Sequence, residues 1–191
     1  MKKIAKKLAD YVIQKGTIEE EEREIYEYGF SIATEMLLCI LVCFSASMIL
    51  HTLVEGILFF AIFIPLRSYA GGLHLNNYWS CFSLSCLTFF IIMMLGKYLE
   101  FPIYIALIIS FLLEIVVYNL YPVENINRIV DADEDKQFKK RLKQFLIIDG
   151  TLAIVFAMVG RSKYLQTFMF TLVMIVVTMI VGKCKNKRMN S

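Results

Sequence analysis

The 191-residue chain is 58% hydrophobic, 19% charged and carries a net charge of +3. A soluble domain is roughly 45–50% apolar and about 25% charged, so a single water-soluble core is excluded. The apolar excess falls in unbroken blocks of about span length, which predicts an all-α polytopic membrane protein and not a barrel of alternating strands. The net charge is modest, and no nucleic-acid partner is expected.

Residues 1–28 come first. Ile4, Leu8, Tyr11 and Val12 share one helical face, ringed by Lys2, Lys3, Lys6, Lys7 and Lys15. This pattern predicts an amphipathic helix lying on an anionic lipid surface, with a plain solvated helix as the alternative. The acidic run Glu19–Glu22 reads as a solvated face. The lysines are not followed directly by an apolar stretch, so no cleavable signal peptide is expected.

Residues 29–182 form the predicted membrane domain. From Phe30 to Leu66 there is room for two spans, with a tight turn near His51 and Thr52. Pro65 is expected to help end the second span. The third span is placed at about Tyr78–Leu95, with Tyr78 and Trp79 as an aromatic belt. A fourth runs from about Ile103 to Tyr121 and Pro122. Residues 123–143 read as a long polar loop, acidic at Asp131, Asp133, Glu134 and Asp135, then basic at Lys139, Lys140, Arg141 and Lys143. Spans five (about Gln144–Val159) and six (about Tyr164–Val181) follow, and residues 183–191 form a basic tail. No internal repeat is visible.

Six spans put seventeen of the twenty Lys and Arg residues on one side. Only Lys97, Arg161 and Lys163 fall on the other. By the positive-inside rule, both termini and the 67–81 connection are then cytoplasmic.

That connection carries the richest chemistry: Arg67, Gly71, Gly72, His74 and Cys81 in one short stretch. A thiol nucleophile needs a base within hydrogen-bond reach, and His74 is seven residues from Cys81. Asn76 or Asn77 can cap the third span, leaving Cys81 in its first turn or just beyond. A helix N-terminus and a nearby imidazolium both favour a thiolate. The glycines allow a sharp turn or free N–H groups for an oxyanion. Arg67 can bind a carboxylate in bidentate fashion or neutralise a nearby acid. The plainer alternative is a loop histidine and a small buried cysteine.

Of the other cysteines, Cys39 and Cys43 stand four apart on a helix face and read as packing. Cys86 and Cys184 carry no further signal. His74 and Cys81 are too few for a zinc centre, so neither metal nor cofactor is expected. Glu35 and Glu114 lie within spans, where an acid is costly and usually faces inward; Asp149 is nearer an end. Glu35 is a candidate to orient His74, or else makes an interhelical hydrogen bond as a protonated acid.

Arg67, Gly72, His74 and Cys81, after the second span, together resemble the signature of the accessory gene regulator B (AgrB) family. Length, basic N-terminal segment, six spans, basic 123–143 region and charged tail are similar too. So is the Tyr121-Pro122-Val-Glu-Asn125 stretch. The resemblance implies a membrane cysteine endopeptidase of bacterial quorum sensing. Such a protein removes the acidic tail of an AgrD-type precursor and helps close the remainder into a thiolactone or lactone. It implies Cys81 as nucleophile, His74 as base, Arg67 and Gly72 as required residues, and a homodimer in the cell membrane. The basic group Lys139, Lys140, Arg141 and Lys143 is a candidate to meet the acidic tail. The competing class is a small transporter or exporter, with Glu35 and Glu114 lining a path. The lack of a two-half design speaks against that class.

Overall fold

The computed structural model describes residues 2–16, 19–72, 78–123 and 132–189. These form seven α-helices: α1 (Lys2–Gln14), α2 (Arg23–Leu50), α3 (Leu53–Ala70), α4 (Tyr78–Tyr98), α5 (Ile103–Leu120), α6 (Ala132–Met158) and α7 (Ser162–Met189). A 3₁₀ turn at Glu20–Glu22 leads into α2. Among the described residues the sole β feature is an isolated parallel bridge between Gly71 and Val123.

The helix α1 forms where the lysine-ringed face predicts one, and it packs against α2. Its buried residues are Ala5 and Ala9, four apart and small enough for close approach, while Ile4, Leu8 and Tyr11 stay exposed. Arg23 pairs with Asp10 of α1 and with Glu20, tying the two helices together. Residues 23–28, expected in the surface segment, already belong to α2.

The tight turn near His51 is observed. His51 adopts φ 57° and ψ 39°, which reverses the chain between α2 and α3. Pro65, however, does not end α3, which continues to Ala70. A proline inside a membrane helix is tolerated where neighbouring structure re-satisfies the freed backbone groups, and Leu66 and Ala70 beyond it are buried. Arg67 therefore stands on a helix and not in a loop.

The polar 123–143 loop is also corrected. From Ala132 onward it is the first half of α6, which runs unbroken to Met158. Leu142, Leu146, Asp149 and Ala153 are all buried. Their spacing of four, three and four makes one helical stripe through the charged and apolar halves alike. The basic tail likewise continues α7 to Met189.

Among the described residues, five helices are long and apolar enough to cross a membrane: those covering Glu20–Leu50, Leu53–Ala70, Trp79–Tyr98, Ile103–Leu120 and Ser162–Lys187. The expected span in α6 is not among them by apolar length, although the helix as a whole runs 27 residues. Its apolar part, Gln144–Met158, makes about 22 Å of helix against a hydrocarbon core of about 30 Å, and it contains Asp149.

The helix α7 is central. Of its most apolar stretch 61% is buried, against 11% for α2. Leu165, Phe168, Leu172 and Ile175 of α7 meet Leu66 of α3, Ala106 and Val117 of α5 and Leu142 of α6 in the main core. A smaller core joins α2, α3 and α4 through Cys43, Phe59, Phe89, Ile92 and Met93. The rings of Phe59 and Phe89 meet edge to face at 5.2 Å.

Candidate functional site

The ends of α3 and α5 meet at one place. The N–H of Gly71 donates to the Arg67 carbonyl at 3.3 Å and closes α3. The N–H of Val123 donates to the Ala70 carbonyl, also at 3.3 Å. The chain reaches Val123 through a cis Tyr121–Pro122 bond.

Both glycines are needed here. Gly71 has φ 80° and ψ −158°, a region essentially reserved for glycine. A Cβ on it would run into the Val123 carbonyl oxygen. Gly72 has φ 138°, and a Cβ on it would run into Nη1 of Arg67. The missing side chain of Gly72 is the space across which the Arg67 guanidinium lies.

Cys81 is the fourth residue of α4, half-buried, where the positive end of the helix favours an anion. The Arg67 guanidinium is within electrostatic reach of it. The expected 67–81 loop thus shrinks from both sides, since Arg67–Ala70 are helical and Cys81 lies in α4. His74, with Asn76 and Asn77, lies outside the described residues, and so does its expected pairing with Cys81.

The basic group is carried to the same end of the molecule. Tyr69 stacks on Phe145 at 5.5 Å and meets Phe138 edge-on at 5.8 Å, so α6 is clamped to the last turn of α3. Lys139 lies over the Tyr118 ring, 5.8 Å from its centroid. The Tyr121 hydroxyl donates to the Asp135 carboxylate at 2.7 Å. Burial, with that hydrogen bond, holds the Tyr121 phenol above its ordinary pKa. Lys139, Lys140, Arg141 and Lys143 remain exposed, their helix held by its aromatic and leucine face. Asn125, Arg128 and Asp131 lie outside the described residues.

Sequence reasoning missed Tyr69 and the docking role of Val123. Tyr121 was visible only as part of the family-like stretch. A lone aromatic two residues after Arg67 carries no pattern of its own.

Glu35 accepts a hydrogen bond from Ser31 of its own helix at 3.3 Å. Of the two acids expected to face inward, Glu114 is 9% exposed while Glu35 is only half-buried, and Asp149, placed nearer an end, is 5% exposed. Gly150 of α6 lies against the Glu114 carboxyl. Cys39 and Cys43, expected as packing, meet Cys86 of α4. These three thiols are the described residues best placed to hold a metal ion.

Such an arrangement defines a polytopic helical membrane protein with a thiol, a guanidinium and a glycine turn gathered at one end of its bundle. The model of the family AgrB, accessory gene regulator B, matches residues 5–180, and the chain belongs to that family. Membership links it to quorum-sensing peptide processing and to the AgrD-type precursor. No curated protein and no solved structure matches the chain.

Proposed function

We propose that the chain is a membrane cysteine endopeptidase that removes the C-terminal tail of an AgrD-type precursor and promotes closure of the remainder into a thiolactone or lactone. The observation that supports this reading is that the Arg67 guanidinium, lying across Gly72, is within electrostatic reach of Cys81 at the start of α4.

In this mechanism His74 takes the Cys81 proton, and the thiolate attacks the carbonyl before the tail. The C–N bond breaks, a thioester to Cys81 forms, and His74 passes its proton to the leaving amine. Attack by water would waste the acyl-enzyme. Attack by the precursor's own thiol exchanges one thioester for another at little free-energy cost and restores Cys81; a hydroxyl gives the lactone. Partial exclusion of water at the bilayer edge favours ring closure. Arg67 stabilises negative charge near Cys81, and Glu35 is the candidate to orient His74. The precursor's acidic tail meets Lys139, Lys140, Arg141 and Lys143 on α6, which is clamped beside the last turn of α3.

With α6 making the sixth crossing, the site, both termini and the basic half of α6 face the cytoplasm, and the protein works as a homodimer. The surface segment 1–28, peptidase domain 29–182 and tail 183–191 remain the functional divisions, although helices run across their borders.

The test is mass spectrometry of an AgrD-type precursor co-expressed with wild type, Cys81→Ala and His74→Ala. Tail release and a product lighter by one water than the linear core are expected from wild type alone. Tail release by Cys81→Ala removes the nucleophile assignment and favours a transporter-like role.

A further inference from the structure

Cys39 and Cys43 stand four residues apart on α2, which puts both on one helix face. Cys86 comes from α4. The three sulfurs lie within 4.8 Å of one another, and Sγ of Cys39 and Sγ of Cys86 are 3.9 Å apart. All three cysteines are free thiols, and Cys43 is 2% exposed. Cys86 lies about 12 Å along α4 from its first residue, well inside the membrane-crossing stretch.

We infer that these thiols form an intramembrane site for a soft monovalent cation of the Cu(I) type. Three sulfurs each about 2.3 Å from a central ion in a plane stand about 4.0 Å apart, close to the spacing found. Thiolate sulfur selects soft ions, Cu(I) among them. Structural Zn²⁺ sites almost always have four protein ligands, and among the described residues the cluster offers three donors.

Charge points the same way. One Cu(I) displaces one thiol proton to water, forms a Cu–S bond and takes the other two sulfurs as neutral donors. No electron moves, and the net charge of the trio stays zero, as a low-dielectric site demands. The surroundings suit a soft ion: Phe59, Phe89 and Met93 share the cluster's apolar core. Because the ligands come from α2 and α4, binding staples those two helices. This inference does not rest on the peptidase reading and fails or stands separately from it.

The experiment uses the full chain, reduced and in lipid nanodiscs under anaerobic conditions, titrated with Cu(I) against a chromophoric Cu(I) chelator. One Cu(I) per chain is expected, with a first shell of three sulfurs by X-ray absorption and a higher thermal midpoint. Cys184→Ser and Cys81→Ser are expected to bind as wild type does. Cys39→Ser, Cys43→Ser and Cys86→Ser are each expected to weaken binding at least 100-fold. Absence of uptake by wild type overturns the proposal. So does uptake that survives in the Cys39, Cys43 and Cys86 triple serine variant, or a first shell without three sulfurs. The wild-type stoichiometry and sulfur shell decide the matter even where a variant folds poorly.

Discussion

Gly71→Ala is the sharpest probe of the site. At φ 80° and ψ −158° a side chain costs about 1–3 kcal/mol in backbone strain. The new methyl would also meet the Val123 carbonyl, a backbone atom that cannot swing aside. Relief requires the 121–123 segment to move off, which loses the hydrogen bond from Val123 to Ala70, about 1 kcal/mol more. The docked arrangement is then disfavoured by roughly 2–4 kcal/mol, or about 30- to 900-fold. Ala70 and Val123 belong to the main core, but most of that core lies on α5, α6 and α7, so the thermal midpoint is expected to move little. The assay is the initial rate of tail release from an AgrD-type precursor in proteoliposomes, with the melting curve recorded alongside. A loss of about 30-fold or more with an intact melt is expected. Cleavage within threefold of wild type would refute the claim that docking of Gly71 on Val123 builds the site.

The neighbouring residues give further expectations. Gly72→Ala pushes the Arg67 guanidinium from its place, so its cleavage defect is expected to match that of Arg67→Gln; a silent Gly72→Ala would show that Arg67 acts from elsewhere. Changing Lys139, Lys140, Arg141 and Lys143 to Glu is expected to raise KM for the precursor and flatten its salt dependence, and unchanged kinetics would count against tail docking on α6. Tyr121→Phe removes the hydrogen bond to Asp135 and is expected to cost about 1 kcal/mol. The phenol pKa is raised in the fold, so this contribution is complete at neutral pH and declines as pH rises above about 10. Thermal midpoints of the two proteins across pH 7–11 would show whether the difference closes in that direction.

Much of this protein is local in origin. Apolar runs separated by His51, Gly96–Pro102 and Gly160–Lys163 locate most helix ends, because burial in lipid depends on run length and little on partners. Cys81 in the first turn of α4 follows from where the polar stretch stops. Pro65 misled, since a break in one helix's ladder is decided by what surrounds it. The charged half of α6 misled for a related reason. Its leucines at 142 and 146 are meaningful only against the helices they touch.

The association of residues distant in the chain belongs to the tertiary structure. Gly71 meets Val123, Tyr69 meets Phe138 and Phe145, and Cys86 joins Cys39 and Cys43. Periodicity fixes which face of a helix is apolar, but every apolar face in a membrane can meet either lipid or another helix. Small differences in packing and hydrogen bonding choose between them. The sequence by itself therefore determined a helical membrane chain with a thiol at a helix start, and only the packing of α3, α5 and α6 decided how Gly71, Val123, Tyr69 and the basic residues of α6 come together.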